Sequence, residues 1–174
     1  MTARDPDARP SAGEVCAHPF FWGEEKRLSF LLDFSDRLEQ ESGPSNLLVK
    51  VEAGAARVVG RSWGVRLDPG LVEEVGRYRK YDLSSVRDLL RLVRNKRHHF
   101  HELPPRVKGL MSPLPGGLMR YVEERFPLLL MHCYHVAGAF LQGERMFLDY
   151  LVPLQRKTGS ATATGAPQGR PPRP

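Results

Sequence analysis

Apolar side chains return at helical spacing along most of the chain. In residues 24–41 they recur every three or four positions, which places them on one face of a helix and leaves charged residues on the other. The residues of this face are Leu28, Leu31, Leu32, Ser35 and Leu38. We therefore predict a helix from Glu24 to Glu41, which the turn-forming sequence Ser-Gly-Pro-Ser-Asn ends.

Residues 47–78 carry a weaker version of the same pattern. Residues 47–59 fit a helix, although their valines and Gly54 lower the helical propensity, and a pair of strands is the alternative. Asp68 followed by Pro69 is typical of an N-cap and a first helical residue. We therefore predict a short helix that ends near Tyr78.

The clearest helical pattern begins at Ser85, which opens a motif similar to a capping box, and ends at the sequence Leu-Pro-Pro. The predicted buried stripe consists of Val86, Leu89, Leu90, Val93 and Phe100. Burying this stripe turns the other faces toward solvent or a cleft, and those faces carry Arg87, Arg91, Arg94, Asn95, His98 and His99. Asn95 and His99 are four residues apart, so we expect them one above the other.

Three further segments complete the prediction of an all-α fold. Residues 117–125 and 127–141 have helical patterns, and the second is so apolar that we place it centrally. Residues 13–16 form a short helical patch. The tail, residues 156–174, has no large aliphatic residue to anchor it, so we predict that it is disordered.

The composition fits one domain of modest size. A chain of 174 residues with 41% hydrophobic content can build one core and leaves little room for a second. Cys16 and Cys133 stand far apart, so we predict neither a disulfide framework nor a zinc knuckle, and we expect an intracellular protein. Because no run of about eighteen apolar residues and no leader is present, we predict no membrane span and no export signal.

The positive charge of the chain is concentrated in one window. Residues 77–98 hold eight basic and two acidic side chains, a net charge of +6 that equals the excess of the whole chain. Such a window is either the solvated face of a helix or a binding surface for a polyanion. The charge alone does not decide between them.

Three motifs, in this order, resemble parts of one nuclease family. The sequence RPSAGEVCAHPFFW at residues 9–22 is similar to the end of a protein-kinase large lobe. The sequences SVRDLLRLVRNKRHHFHELP at 85–104 and RFPLLL at 125–130 resemble the KEN (kinase-extension nuclease) domain of the endoplasmic-reticulum stress-sensing kinase/endoribonucleases. The spacing Arg-Asn-x-x-x-His, from Arg94 to His99, is also expected in ribonuclease L, a more distant relative.

The resemblance covers residues 1–154 and implies three parts. Residues 1–22 would be a remnant of the kinase lobe, residues 23–155 a helical KEN ribonuclease domain, and residues 156–174 the disordered tail. The chain starts inside what would be a kinase helix, so we expect it to be a piece of a longer protein. Kinase activity is not expected, because the Gly-rich loop, the strand lysine and the His-Arg-Asp and Asp-Phe-Gly motifs are missing.

The resemblance implies an endoribonuclease that uses no metal and no cofactor, in which the ribose 2′-hydroxyl attacks the adjacent phosphate. His99 would be the general acid for the leaving 5′-oxygen, and Tyr81 the general base or proton relay. Arg94 would stabilise the phosphorane, and Asn95 would orient the phosphate or the histidine. The residues implied to bind flanking phosphates are Lys96 and Arg97. These types suit the chemistry, because imidazole exchanges protons near neutrality and guanidinium matches phosphate geometry.

The resemblance also implies partners and a location. The substrate would be RNA of the unfolded-protein response rather than DNA, and the active form would be a homodimer that this domain and the kinase domain both build. The chain would be cytoplasmic by itself, or would lie on the cytosolic face of the endoplasmic reticulum in a full-length family protein, without touching the membrane. One departure from the family is Asp82, which stands where a lysine is usual.

Other interpretations of the same residues stay open. His98, His99 and His101 are potential metal ligands, but no carboxylate or cysteine stands at a supporting helical spacing, so we predict no metal site. The pair His132 and His135 lies on an apolar helix, where core histidines are commoner than ligands. Tyr81 by itself would be a packing residue. The alternative function is a catalytically silent RNA-binding or dimerisation module, which would have no need for His99.

Overall fold

The computed structural model describes Arg9, residues 11–78 and residues 80–151, and the regular elements of these residues are helices. In chain order they are α1 (Ala12–Cys16), α2 (Glu24–Glu39), α3 (Asn46–Glu52), α4 (Ala55–Val58), α5 (Pro69–Tyr78), α6 (Val86–His98), α7 (Pro105–Leu110), α8 (Gly116–Arg125) and α9 (Leu129–Phe140). The all-α prediction is therefore confirmed for the part of the chain that is described. The predicted disorder of residues 156–174 lies outside it.

Helix α2 lies at the centre of the core and packs against α6, α8 and α9. Its predicted stripe is buried except for Leu32, which is half-buried. Phe30 and Phe34, which the stripe left out, are fully buried as well. Both phenyl rings contact Phe147 from the 3-10 turn Arg145–Phe147. A second layer therefore covers α2, and its apolar face is wider than one stripe.

The segment 47–59, predicted as one helix, forms two helices, α3 and α4. The break lies at Gly54, where the backbone runs so close to the imidazole of His132 that an added Cβ would overlap the ring. The Nε2 atom of His132 lies 2.8 Å from the backbone oxygen of Val51 and forms a hydrogen bond with it. The alternative of a strand pair is wrong for this segment.

The first turn of α6 is capped twice. The Ser85 hydroxyl accepts a hydrogen bond of 3.1 Å from the backbone N–H of Asp88, as the capping motif predicted. The Glu52 carboxylate, from the end of α3, accepts from the backbone N–H groups of Val86 and Arg87, each at 3.0 Å. A carboxylate at a helix N-terminus satisfies orphan donors and complements the helix dipole. Helix α6, which carries the predicted site, thus begins at a fixed point.

Three arginines of α6 point toward α2 and pair with its acids. Arg91 donates to both Glu39 carboxylate oxygens at 2.6 and 2.8 Å, and Arg94 donates to Asp36 at 3.0 Å. Arg87 donates to the backbone oxygen of Leu38. The prediction that these arginines face solvent or a cleft is wrong, because α2 packs along this side of α6. The pairs neutralise much of the charge that the sequence window suggested.

Helix α6 ends at His98, and a 3-10 turn, Phe100–Glu102, redirects the chain into α7. Leu103 and Val107 are buried and anchor the turn and α7 to the core. Phe100, predicted as part of the buried stripe, is half-buried and packs against the same core.

Residues 18–22 form a short apolar corner. Trp22 is buried, donates from Nε1 to the backbone oxygen of Ala17 at 2.8 Å, and contacts the ring of Phe30. Phe20 and Phe21 are 81% and 56% exposed. This corner lies in residues 1–22, which were predicted to be a remnant of a kinase lobe. The division of the chain into a kinase remnant and a nuclease domain stays a prediction.

Candidate functional site

A cleft of about 360 Å³ opens beside the C-terminal half of α6. Its walls come from α5, the loop that precedes α6, α6 itself and the 3-10 turn that follows. Four of the six predicted site residues line it: Tyr81, Asn95, Lys96 and His99. The cleft therefore gathers the phenol, the amide, one ammonium and the imidazole.

Tyr81 is held in the cleft by a hydrogen bond from Asn95. The Nδ2 atom of Asn95 lies 2.9 Å from the Tyr81 Oη atom and donates to it. The Tyr81 ring packs edge-on against Trp63, with 5.9 Å between the ring centroids. Trp63 is fully buried and fixes the loop, because its backbone N–H donates to the Leu83 oxygen at 2.8 Å. The indole N–H of Trp63 donates to the backbone oxygen of Asp82 at 3.2 Å.

The Asp82 carboxylate is occupied within its own loop. It accepts hydrogen bonds from the Ser84 backbone N–H at 2.9 Å and from the Ser84 hydroxyl at 2.6 Å. These bonds lower the pKa of Asp82 below its usual range. The negative charge that replaces the usual lysine is thus directed to Ser84, and Asp82 does not line the cleft.

His99 lies just past the end of α6, where its backbone N–H donates to the Asn95 oxygen at 2.9 Å. Its Nδ1 atom lies 2.9 Å from a carboxylate oxygen of Glu102. An ionised carboxylate can only accept a hydrogen bond, so Nδ1 carries the proton of this contact. Nε2 makes no hydrogen bond to any residue that the structure describes, and the His99 side chain is 61% exposed, so Nε2 is the ring nitrogen available to a substrate.

Lys96 is half-buried at the base of the cleft. Burial lowers the pKa of Lys96, whereas the negative charges of Glu74 and Glu102 act in the opposite direction. The Glu74 side chain is buried and lines the same cleft. The cleft therefore balances a desolvated ammonium against two carboxylates.

Arg94 and Arg97 do not line the cleft. Arg94 is directed to Asp36, and its side chain is only 16% exposed. Arg97, on the last turn of α6, is partly exposed, and no acid within the described ranges lies at ion-pair distance from it. The catalytic role of Arg94 and the phosphate-binding role of Arg97 stay predictions.

Two residues of the cleft, Glu74 and Glu102, were missed by the sequence analysis. Glu102 stands three residues after His99, a spacing that brings side chains together in a helical turn, so this signal was available. Glu74 comes from α5, and its approach to Lys96 depends on how α5 packs. The sequence contains no local signal for that contact.

The other histidines do not line the cleft. His132 is buried and hydrogen-bonded to the backbone, which supports the interpretation of a core histidine. In the described ranges, no three His, Cys, Asp or Glu side chains are grouped so that they could hold a metal ion. Nor is any described helix long and apolar enough to cross a membrane.

Comparison with known proteins gives a consistent family. The family described as Ribonuclease 2-5A matches residues 27–151. The chain is 44% identical over 153 residues to "Sensor for unfolded proteins in the ER ire1" of Schizosaccharomyces pombe, covering 87% of this chain and 14% of that protein. It is 45% identical over 148 residues to "Serine/threonine-protein kinase/endoribonuclease IRE1a" of Arabidopsis thaliana, covering 84% and 18%.

A human protein is similar to the same degree. The chain is 44% identical over 148 residues to "Serine/threonine-protein kinase/endoribonuclease IRE2" of Homo sapiens, covering 85% of this chain and 16% of that protein. The chain therefore spans less than a fifth of the length of these relatives.

Proposed function

The chain belongs to the Ribonuclease 2-5A family, and on this premise we propose that it is a metal-independent endoribonuclease that cuts RNA by transesterification. The observation that carries the proposal is the cleft itself. Tyr81, Asn95 and His99 line one cleft together, and the Nε2 atom of His99 has no hydrogen-bond partner among the described residues. The relatives from Arabidopsis thaliana and Homo sapiens carry endoribonuclease in their names, and the sequence Arg-Asn-x-x-x-His is complete.

In the proposed reaction, the ribose 2′-oxygen attacks the adjacent phosphorus and the bond from phosphorus to the 5′-oxygen breaks. Tyr81, as a phenolate or as a relay that gives its own hydroxyl proton to water, accepts the proton of the 2′-hydroxyl. His99, protonated on both ring nitrogens, gives its Nε2 proton to the leaving 5′-oxygen while Glu102 holds Nδ1. The products are a 2′,3′-cyclic phosphate and a 5′-hydroxyl. Every step uses a side chain of this chain or the substrate's own hydroxyl.

The cations have separate proposed roles. Lys96 lies within the cleft, and together with Arg97 on the last turn it would bind phosphates that flank the cut. Arg94 would stabilise the charge of the phosphorane. To do so its guanidinium must exchange Asp36, which is 46% exposed, for the phosphate. Asn95 would keep the phenol of Tyr81 in place.

The biological setting is proposed by analogy with the relatives, one of which is named a sensor for unfolded proteins in the endoplasmic reticulum. The substrate would be messenger RNA of the unfolded-protein response, cut at the cytosolic face of that membrane. The active form would be a homodimer built by this domain and a kinase domain. Specific activity per chain should therefore rise with protein concentration, since only the dimer would cut.

A silent RNA-binding module is the second candidate. The observation that favours it is the engagement of Arg94 with Asp36, because no arginine of the described residues then lines the cleft. The two functions differ in their need for His99.

The test replaces His99 with alanine and, as a matched control, His98, which is also exposed but does not line the cleft. Loss of a general acid costs about 10²- to 10⁴-fold in rate. His99→Ala should lose cleavage of a labelled RNA and keep its affinity, and His98→Ala should keep both. Equal cleavage by wild type and His99→Ala would place the activity elsewhere, and no cleavage by wild type in a forced dimer would favour the silent module.

The chemistry has its own test. Cleavage should continue in excess EDTA, should leave a 2′,3′-cyclic phosphate, and should fail on DNA or on RNA with a 2′-methoxy group at the cut. Cleavage should also weaken as salt rises, because phosphate binding releases counterions. A 5′-phosphate product, or activity lost in EDTA and restored by magnesium, would contradict the proposal.

A further inference from the structure

A second groove, of about 320 Å³, lies next to the cleft. Its floor contains the buried Trp63, and the residues that matter for binding are Val72, Val75, Gly76, Lys80, Tyr81 and Leu83. Val75 and Tyr81 line both the groove and the cleft. The two spaces therefore share a wall, and the phenol of the proposed reaction belongs to that wall.

The chemistry of the groove differs from that of the cleft. The cleft contains Glu74 and Glu102, whereas the described residues that line the groove include no carboxylate. Val72 and Leu83 are 43% and 40% exposed, so apolar surface is left open to solvent at the rim.

The exposed ammonium of Lys80 stands beside this apolar surface. A ligand that fits both would be flat and apolar on its faces and would carry negative charge at its edge. A nucleobase attached to its phosphate has these properties, and single-stranded RNA is generally bound by apolar or aromatic surfaces for the bases and cations for the phosphates.

We propose that the groove binds the base of a nucleotide next to the scissile phosphate, so that Val72, Leu83 and the Tyr81 side contact the base and Lys80 pairs with its phosphate. This inference rests on the proposed ribonuclease function and deepens it. The shared wall supports this occupant over a separate partner, because a strand whose ribose 2′-hydroxyl reaches Tyr81 must continue past that side chain. The groove would thus set which base the enzyme prefers beside the cut.

Gly76 allows the groove to be closed with little disturbance. It lies in α5, and a Cβ added at this residue would meet no atom of a described side chain within 4 Å. A tryptophan there enters open space and replaces a residue that disfavours helices. Gly109 in α7 is the matched control, since it is also exposed, has the same open space around its Cβ and does not line the groove.

The experiment uses the full chain and a random-sequence RNA pool. Sequencing of the cut ends should show a base preference at one position beside the cut. An RNA with an abasic site at that position should then be cut by wild type about 5- to 150-fold more slowly than its parent, the usual value of one stacked base. For Gly76→Trp the two RNAs should be cut at similar rates, and Gly109→Trp should keep the wild-type ratio.

A second variant, Leu83→Ser, guards against misfolding of the first, and thermal unfolding checks both. Leu83→Ser should lower the ratio of the parent cleavage rate to the abasic cleavage rate without closing the groove. A wild-type ratio near one, or a ratio that both groove variants retain, would overturn the base subsite while leaving the ribonuclease intact. If wild type cuts no RNA at all, the proposed function fails first, which is a different result.

Discussion

Asn95 donates a hydrogen bond of 2.9 Å to the hydroxyl of Tyr81, which precedes it by 14 residues. Asn95 stands on the third turn of α6, and Tyr81 stands on the loop before that helix. The bond therefore joins the loop to the helix at the place where the proposed reaction needs the phenol. It also gives Asn95 a role that does not depend on substrate.

The first prediction is that Tyr81 and Asn95 act as one unit. Tyr81→Phe should lower kcat by about 10²- to 10⁴-fold if the hydroxyl transfers a proton. Asn95→Ala should cost less, since it removes one positioning hydrogen bond of about 0.5–1.5 kcal/mol. In the Tyr81→Phe background, Asn95→Ala should add little. Rates of the single and double variants test this, and fully additive losses would show that the two residues act separately.

The second prediction concerns Glu102, which we infer to be a positioning residue for His99. Glu102→Gln keeps the shape but no longer requires a proton on Nδ1, so kcat should fall several-fold while KM changes little. The ¹⁵N shifts of the neutral His99 ring should report Nδ1–H in wild type and a mixture of tautomers in the variant. Glu25→Gln, an exposed change on α2, is the control. Unchanged ring shifts would remove Glu102 from the mechanism.

The third prediction uses pH. Burial lowers the pKa of Lys96, so its ammonium loses charge at a lower pH than an exposed lysine does. Affinity for an uncleavable 2′-methoxy RNA should therefore fall as pH rises, and the fall should begin below the pH at which an ordinary lysine, of pKa about 10.4, loses its charge. In Lys96→Arg this fall should be smaller, because guanidinium stays charged.

The control for that titration is Lys50→Arg, a change on α3 outside the cleft. It should follow the wild-type curve. If Lys96→Arg also follows the wild-type curve, the charge of Lys96 does not contribute to RNA binding.

The fourth prediction separates the two roles open to Arg94. If the Arg94 guanidinium binds the phosphorane, Asp36→Asn should release that guanidinium and preserve or raise kcat/KM. Arg94→Gln should then lower kcat/KM by tenfold or more, because a charged hydrogen bond contributes about 1.5–3 kcal/mol. If the pair is purely structural, both variants should shift the melting temperature slightly, and both should keep the kcat/KM of wild type. A partly exposed ion pair of this kind stabilises by only about 0–1 kcal/mol.

The part of the site that lies on a single helix could be predicted from the sequence. Asn95, Lys96 and His99 share α6 or its cap, so helical spacing alone brings them together. The direction of Arg91 and Arg94 could not be predicted in this way, because it depends on the acids of α2, which are more than 50 residues away. The break of the predicted helix at Gly54 likewise depends on contact with a distant ring, that of His132. The local sequence pattern predicts which residues share a helix face, whereas tertiary packing determines which residues each face contacts.

The double cap on α6 has an electrostatic consequence for the cleft. The Glu52 carboxylate complements the N-terminal end of the helix, whereas His99 lies at the C-terminal end, where peptide carbonyls leave partial negative charge. Phosphate-binding helices normally present the opposite end. Lys96, Arg97 and His98 in the last turn must therefore reverse the sign of the backbone field before a phosphate is attracted. The electrostatic attraction of a phosphate to this end therefore comes from the side chains, so neutralising a single cation should weaken that attraction.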